Sequence, residues 1–343
     1  MMLNLIDYRS DTVTKPTPAM LEAMMTAQVG DDVFGEDPSV NALEKLAANM
    51  FGMEAALFCT SGTQTNQIAI KCHTQPGQEV ICDADAHVYQ YEGGGIASNS
   101  LCSVKLLPGD RGRINATQVL EAINNPQDVH KAVTSLVCVE NTSNRGGGSC
   151  YDFTELEKIR KVCDAHGLAF HIDGARLFNA LVAKGETTLQ YGALFDSISV
   201  CLSKSLGCPV GSLLIGKKDF IQKARRVRKA WGGGMRQAGF LAAAGVYALQ
   251  NNINRLDEDH AHAKAIASAL AGKPFVKQIL PVETNIIIFE TAGLSATALT
   301  EKFAEHGIRT YAMTPQRVRL VMHLGITPDM VDQTIDVIHH KIH

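Results

Sequence analysis

The sequence has no apolar run that approaches the length needed to span a membrane. It also has no internal repeat, low-complexity tract or long run of one charge, and Asp7 and Arg9 interrupt the N-terminus too early for a signal peptide. Its 32 basic and 35 acidic side chains give a net charge of −3, which argues against a dedicated nucleic-acid or anionic-membrane surface. We therefore expect a soluble protein with neither kind of partner.

The nine cysteines form no C-x-x-C pair and no Cys/His cluster at zinc spacing. Several lie in apolar runs such as 135–140 and 198–203, where cysteine acts as a small core residue. This usage is typical of a reducing compartment, so we expect a cytoplasmic protein without a structural metal. The 343 residues, 45% of them hydrophobic and 20% charged, are enough for two globular domains.

Short apolar segments alternate with helical patterns through the first two thirds of the chain. The apolar segments are 55–59, 79–82, 135–140, 168–173, 196–202 and 211–216. This alternation predicts an α/β domain with a largely parallel sheet. In such sheets ligands bind in the turns that follow the carboxyl ends of the strands.

The last third of the chain predicts a smaller α/β unit. A basic helix is expected at 217–230, followed by one long Ala-rich helical stretch from about 236 to 271. Beyond it come predicted strands at 284–290 and 318–323 and helices at 295–306 and from 328. We place the boundary near residue 251, so that 1–251 hold an N-terminal segment and a large domain and 252–343 a small C-terminal domain.

Lys204 directly follows a predicted strand and precedes a turn of small and apolar residues. A partly desolvated amine at such a place is a usable nucleophile towards an aldehyde, although a solvated lysine just past a strand is the commoner situation. Asp173 ends the preceding predicted strand, three positions before Arg176. An aspartate there can pair with the ring nitrogen of pyridoxal phosphate (PLP), or it can simply cap a helix. Since one helical segment separates the two strands, Asp173 and Lys204 are expected at one edge of the sheet.

Three further groups have both a functional and a structural interpretation. Ser61-Gly62-Thr63 follows a strand and opens a helix, which suits a phosphate but also an ordinary capped helix. His87 follows a short apolar strand and could stack on a ring or move protons, yet a single histidine is usually structural. The basic segment 224–236 is either a solvated helix face ending in a glycine loop or a clamp for an anion.

Nine sequence blocks, in order along nearly the whole chain, resemble the threonine aldolase family. They are YRSDTVT from Tyr8, GDDVFGEDPSVNALE (30–44), SGTQTN, AHVYQYE, ENTSN, HIDGARLFNA, CLSKSLGCPVGSLL, GGGMRQAG and VRLVMHL. The resemblance implies a PLP-dependent transferase-like fold of type I, similar to aspartate aminotransferase. It also implies a large, mostly parallel-sheet domain and a small C-terminal α/β domain.

The resemblance further implies how PLP would be held. Lys204 would carry it as a Schiff base, Asp173 would bind the ring nitrogen, and His87 would stack on the ring. The remaining implied cofactor contacts are Gly62 and Thr63 at the phosphate, Arg176 near the phenolic oxygen, and Arg236 with Lys229 at a phosphate in the neighbouring subunit. The last pair requires an oligomer, and a homotetramer with a dimer as the catalytic unit is expected.

For the substrate, the resemblance implies that Ser10, Arg176 and Arg319 bind the carboxylate and that His130 lies near the substrate hydroxyl. The implied activity is the cleavage of L-threonine or L-allo-threonine to glycine and acetaldehyde. The catalytic base stays open between His87, His130 and a positioned water. Alternatives are an aldolase for another β-hydroxy-α-amino acid such as phenylserine, a β-eliminating lyase, and a non-catalytic PLP-binding protein.

The chain departs from the usual family pattern at several positions. Phe34 stands where tyrosine is common, Ser143 replaces a histidine, and Ser205 replaces the glycine after the lysine. A glycine-rich turn at 145–150 is a further difference. None of these is a residue expected to touch the cofactor, but they leave the preferred stereoisomer and aldehyde undetermined.

Overall fold

A computed structural model describes residues 5–342 of the chain. Residues 1–4 and 343, the outermost ends of the two predicted domains, lie outside the described residues. Among residues 5–342, no helix is both long and apolar enough to cross a membrane. All nine cysteines are buried as free thiols.

A seven-stranded sheet forms the centre of the larger unit in the described chain. After the short β1 (Ile6–Asp7) come its strands, which are β2 (Ala55–Cys59), β3 (Glu79–Asp83), β4 (Ser103–Leu107), β5 (Thr134–Glu140), β6 (Ala169–Gly174), β7 (Ser197–Cys201) and β8 (Ser212–Gly216). Their order across the sheet is β2-β8-β7-β6-β5-β3-β4. Strand β8 is antiparallel to both its neighbours, and the pairs from β7 to β4 are all parallel. The predicted α/β class is confirmed.

Helices cover both faces of this sheet. In chain order they are α1 (Pro18–Met25), α2 (Pro38–Phe51), α3 (Gly62–His73), α4 (His87–Gln90), α5 (Gly95–Ser100), α6 (Ala116–Ala122), α7 (Phe153–His166), α8 (Leu177–Lys184), α9 (Thr188–Leu194), α10 (Lys218–Ala230) and α11 (Gly239–Asn251). Helices α2, α6, α7, α8, α9 and α11 contribute to the main apolar core. Helices α3, α5 and α10 supply two smaller apolar clusters with strand residues of the same sheet. Apart from the edge strand β4, which is largely exposed, the strands are buried on both faces, which is why they read as continuous apolar runs.

The smaller unit has its own sheet and core. Its elements are α12 (Leu256–Leu270), β9 (Val276–Ile279), β10 (Ile286–Thr291), α13 (Ala296–Glu305), β11 (Ile308–Arg309), β12 (Tyr311–Thr314), β13 (Arg317–Val321) and α14 (Pro328–His340). Strands β12-β13-β10-β9 form an antiparallel sheet, and β1 pairs with β11. Ile6 and Tyr8 are buried in this second core, so the N-terminal segment packs on the C-terminal unit. The boundary at residue 251 stays a prediction.

The single helical stretch predicted for 236–271 is wrong. The structure has two helices there, and a turn at 252–255 separates them. Asn252 donates a side-chain hydrogen bond to the carbonyl of Leu206 (2.8 Å). Because such an amide competes with the helical backbone for hydrogen bonds, a tertiary contact here favours the turn over continuation of the helix.

Candidate active site

Asp173 lies at the carboxyl end of β6 and Lys204 follows the neighbouring β7, as the sequence predicted. Strands β6 and β7 are adjacent and parallel, and Asp173 is aligned with Ser199 across them. Lys204 lies half-buried three residues after the end of β7. Since parallel strands present their carboxyl ends at one edge of a sheet, the carboxylate and the amine belong to the same edge.

A buried amide joins Asp173 to a second acid. The Asn66 Nδ2 group donates to Asp173 Oδ2 and to Glu92 Oε1, both at 2.9 Å. Gln67 donates to the other oxygen of Glu92 at 2.6 Å. All four residues are buried. Sequence reasoning missed Glu92, and only its position five residues after His87 could have indicated it.

The His87 ring extends this cluster. Its Nδ1 lies 3.0 Å from Glu92 Oε1, and its ring centroid is 5.7 Å from that of Tyr91. Burial lowers the pKa of His87, but the hydrogen bond to Glu92 and the charges of Asp173 and Glu92 outweigh it, so the pKa is raised. Since Nδ1 faces Glu92, Nε2 is the ring nitrogen left for a ligand.

Glu140, at the carboxyl end of β5, is the third buried acid of the cluster. It is aligned with Asp173 across the sheet and accepts backbone hydrogen bonds from His87 (2.9 Å) and Asn144 (2.8 Å). Burial, together with the negative charge of Asp173, raises the pKa of Glu140 to about 7. No sequence motif indicated a role for Glu140, although it too ends a predicted strand.

One ligand atom each from His87, Glu92 and Asp173 lies within 4.8 Å of the others, a spacing that a metal ion could use. However, the Asn66 NH₂ group points at both carboxylates and occupies their shared side with positive hydrogens. A metal ion between the carboxylates would meet those hydrogens. The carboxylates therefore suit an N–H donor of an organic group better than a metal ion held between them.

The start of α3 offers backbone donors beside the end of β7. The Ser61 hydroxyl caps the helix by accepting from Gln64 N at 3.2 Å, and Gly62 and Thr63 form the start of the first turn. A Cβ on Gly62 would lie 2.5 Å from Cys201 Sγ, so only glycine lets the chain approach the strand this closely. An anion bound here would lie at the N-terminus of a 12-residue helix, where free backbone N–H groups and the positive end of the helix dipole stabilise negative charge.

The basic segment 224–236 covers the end of α10 and the loop that follows it. Its cations differ in exposure, so it is not simply a solvated helix face. Lys229 and Arg236 are exposed, and Arg236 pairs with Asp31 at 2.8 Å. Neither forms a hydrogen bond or ion pair with Lys204, Asp173 or His87 among the described residues. Arg228, in contrast, is buried and donates to Asp32 and to the carbonyl of Phe58, both at 2.6 Å. It therefore connects structural elements and does not face solvent.

Arg176 is held by an acid that the sequence analysis did not assign. Its Nε and Nη2 each lie 2.7 Å from an oxygen of Asp11, and both residues are buried. Burial disfavours the ionised Asp11, yet Arg176 and a hydrogen bond from Ser205 (2.9 Å) outweigh it and hold the Asp11 pKa well below its usual range. Asp11 thus orients Arg176 and leaves Nη1 for a ligand.

Arg319, on β13, carries an unused donor. Its Nη1 donates to Asn144 Oδ1 and its Nη2 to the carbonyl of Arg9, both at 2.9 Å. Its Nε is buried without a hydrogen-bond partner among the described residues. Burial, with a contribution from the nearby Arg176 charge, lowers the pKa of Arg319 to about 10. Residues 9–11 therefore contact both arginines, and Ser10 lies between these contacts in the chain.

His130 is not brought to this site within one chain. It lies four residues before β5, and its side chain is 90% exposed beside Asp128. Glu140 ends the same strand at the active-site edge, and seven extended residues span roughly 20 Å. Because the strand separates the two ends, His130 lies away from the site of its own chain, and its role near the substrate hydroxyl stays a prediction.

The family departures differ in their surroundings. Phe34 is 74% exposed, and buried Ser143 accepts a hydrogen bond from Gly146 N at 3.2 Å. A Cβ on Gly112 would already meet the Ser143 hydroxyl, so the larger histidine of the family pattern has no room in this arrangement. Ser205 supports Asp11 and through it Arg176. None of the three contacts Asp173, His87 or Lys204 through a side-chain hydrogen bond.

The fold matches that of a class of known enzymes. The structure "Initial Stuctural Analysis of Leishmania major Threonine Aldolase" superimposes with a TM-score of 0.86, at 23% identity, over 98% of this chain and 100% of that one. At this identity the likeness establishes the shared fold, that of the PLP-dependent enzymes of fold type I. The predicted fold class is confirmed.

Sequence comparison gives the family. A low-specificity L-threonine aldolase of Escherichia coli K12 is 44% identical over 95% of this chain and 96% of its own length. Low-specificity L-threonine aldolase 1 of Arabidopsis thaliana is 41% identical over 98% of this chain and 96% of its own. The family model for beta-eliminating lyases matches residues 7–293. The chain belongs to the beta-eliminating lyase family.

Proposed function

We propose that this protein is a PLP-dependent aldolase that cleaves L-threonine or L-allo-threonine to glycine and acetaldehyde. The observation that carries the proposal is the edge shared by Asp173 and Lys204, with His87 hydrogen-bonded into the same acidic cluster. The E. coli and Arabidopsis relatives are named low-specificity L-threonine aldolases, which supports the same activity.

The residues present fit the cofactor. Three buried acids lie close together, with hydrogen bonds to the Asn66 and Gln67 amides and to His87, so a protonated ring nitrogen beside Asp173 would relieve their like charge. Backbone donors at Gly62 and Thr63 suit a phosphate. Lys204 would hold the cofactor through Nζ and His87 would lie against its ring. Arg176 would approach the phenolic oxygen.

PLP, when bound, supplies an electrophilic carbon for an amine and a ring that withdraws electrons from the bonds at Cα. The chain's own residues then decide which bond breaks. Arg319 Nε is a buried donor without a partner, and a substrate carboxylate would satisfy it. With Ser10 and Arg176 Nη1 it would fix the carboxylate, and thereby the orientation of the Cα–Cβ bond.

His87 is the residue that we assign to the hydroxyl proton. Breaking the Cα–Cβ bond of a β-hydroxy amino acid requires removal of the proton from the hydroxyl oxygen. Nε2 of His87 would accept it while Nδ1 remains held by Glu92, and the pKa of His87 is raised by that contact. His130 could act only in the site of another subunit.

The proposed assembly is a homotetramer whose catalytic unit is a dimer. Arg236 and Lys229 are exposed cations that would reach a phosphate in the neighbouring subunit, and Arg236 would have to exchange its contact with Asp31. The proposed compartment is the cytoplasm, where nine buried free thiols remain reduced.

Incubation of the purified protein and PLP with the four threonine stereoisomers tests the function. Release of glycine and acetaldehyde from an L-isomer is the expected result. Pyruvate and ammonia as products would instead support a β-eliminating lyase, the activity that the family description names. Cleavage of phenylserine with little action on threonine would support an aldolase for another β-hydroxy amino acid.

A further inference from the structure

A buried chain of hydrogen bonds leads from Asp173 into the interior of the large sheet. Asn66 Oδ1 lies 3.2 Å from His171 Nε2, and His171 Nδ1 lies 2.8 Å from the Ser197 hydroxyl. The same hydroxyl lies 2.8 Å from His73 Nε2. His171 and Ser197 are aligned across β6 and β7, while Asn66 and His73 are on α3. The chain therefore joins both central strands to one helix.

The chemistry of each group determines which atom donates and which accepts in every hydrogen bond of this buried chain. Carboxylate oxygens accept, so the Asn66 NH₂ must face Asp173 and Glu92, which turns Asn66 Oδ1 towards His171. An amide oxygen also only accepts, and therefore His171 Nε2 must carry a hydrogen. The opposite tautomer would give Nδ1–H to the Ser197 carbonyl, 3.1 Å away, but would set two acceptors against each other at Asn66.

The rest of the chain follows from the neutrality of the histidine rings. Burial lowers the pKa of His171 to about 4 and that of His73 to about 3, so each ring holds one hydrogen near neutral pH. Nδ1 of His171 is then an acceptor and receives the Ser197 hydroxyl hydrogen. The Ser197 oxygen in turn accepts from His73 Nε2, whose ring stacks on Phe220 at 4.5 Å. Each group in the chain therefore donates to the next one, from His73 to Asn66, and Asn66 donates to the two carboxylates.

We propose that His171 is a positioning residue for the cofactor: through Asn66 it holds Asp173 as an acceptor aimed at the ring nitrogen. This inference rests on the proposed function. Without the Nε2 hydrogen, Asn66 could rotate and present its oxygen to Asp173 and Glu92, which would repel both carboxylates. Asp173 would then bind a proton or turn away, and it would pair less well with a protonated pyridine nitrogen. His171 contacts neither substrate nor cofactor in this arrangement.

The test compares PLP with its carbocyclic analogue, in which CH replaces the ring nitrogen. The dissociation constants of both compounds are measured by absorbance titration of the full-length protein. The ratio of the two constants reports the pairing of Asp173 with the nitrogen and is insensitive to a general loosening of the pocket. His171→Phe removes the donor, and His171→Gln keeps an amide N–H at a similar distance.

A matched control exists for the loss of a buried histidine. His260 is also buried and neutral, its Nε2 lies 3.0 Å from Asn179 Oδ1, and burial lowers its pKa to about 4. Ser197→Ala provides a milder disruption, because it keeps the His171 ring and removes the hydroxyl that donates to His171 Nδ1 and accepts from His73 Nε2. It keeps the proposal testable if His171→Phe fails to fold.

We expect His171→Phe to lower the preference for PLP over the analogue by about tenfold or more, the factor typical of a hydrogen bond to a charged group. Ser197→Ala should lower it less, His171→Gln should restore most of it, and His260→Phe should leave it unchanged. An unchanged preference in both His171→Phe and Ser197→Ala would overturn the inference. A wild-type protein that binds PLP no better than the analogue would overturn the proposed function, and this inference with it.

Discussion

The two edges of the large sheet are both polar, but their charges are arranged differently. At the amino edge, opposite charges are paired, as in the contact of Arg160 with Asp196 at 2.7 Å. At the carboxyl edge, Glu92, Glu140 and Asp173 are buried together, and their hydrogen-bond partners include two neutral amides and His87. Polarity at strand ends therefore does not identify the site, whereas buried like charges that need a cation do.

The largest difference between the two edges is expected when a lysine at each edge is replaced and cofactor binding and turnover are measured. Lys204 follows β7, while Lys217 follows the antiparallel β8 at the opposite edge and is exposed. Lys204→Ala should abolish the visible absorbance of the lysine-bound cofactor and lower turnover by roughly a thousandfold or more. Lys217→Ala should leave both unchanged. A borohydride-reducible linkage that survives in Lys204→Ala would show that another amine holds the cofactor.

A smaller effect is expected from a pair of arginines on β13. Arg319 is largely buried with an unpartnered Nε, and Arg317 is half-exposed and pairs with Glu290 at 2.9 Å. Arg319→Gln should raise KM for the amino acid roughly 100-fold, the scale of losing one partner of a buried charge pair, with a smaller change in kcat. Arg317→Gln should leave KM within about twofold, as for an exposed pair. Equal changes in both variants would contradict the assignment of the carboxylate to Arg319.

The sequence predicted the elements that local patterns determine. The alternation of apolar segments with helical patterns predicted a parallel sheet, and Asp173 and Lys204 each fell at the end of a predicted strand. Their position at one edge of the sheet was therefore predicted correctly, because strand ends and parallel pairing follow from pattern and topology. Side-chain partnerships could not be derived in this way. Arg176 was assigned to substrate and cofactor, but its alignment depends on Asp11, 165 positions away in the chain.

One wrong prediction and one open prediction depend on contacts that a local pattern does not show. The helix expected over 236–271 ends early because Asn252 bonds to a turn that is distant in sequence. His130 precedes β5 and Glu140 ends it, so one chain keeps the two residues at opposite ends of the strand. A role for His130 then depends on the assembly of subunits, which a local pattern does not describe.

The pH dependence of stability sharpens the contrast further, because two buried groups of the site should act in opposite directions. Burial lowers the pKa of His171 to about 4, so the unfolded chain binds more protons between that pH and the ordinary value of 6.5. Its contribution to the unfolding free energy is therefore lost as the pH falls through this window. Glu140, with a pKa raised to about 7, binds its proton more tightly in the folded state, and its contribution is lost as the pH rises from 4.5.

Chemical denaturation at a series of pH values measures how the unfolding free energy depends on pH in each variant. Since one pKa unit corresponds to about 1.4 kcal/mol, His171→Phe should flatten the rise of unfolding free energy between pH 4 and 6.5 by roughly 3–4 kcal/mol in total. Glu140→Gln should steepen it between pH 4.5 and 7. A change of the same sign in both variants would show that the burial of these two groups does not govern the titration.

The smallest effect is expected at the amino edge itself. The His130 side chain is 90% exposed, and within residues 5–342 its only hydrogen bond is to Asp128, so His130→Ala should change the unfolding free energy by less than about 0.5 kcal/mol. Turnover of the same variant, measured at saturating PLP, determines whether the edges are functionally separate. A large loss of turnover at unchanged stability would mean that His130 completes the site of another subunit, since its own chain separates it from Glu140 by the length of β5. The two edges would then be joined through the oligomer, and the contrast between them would hold only for the isolated chain.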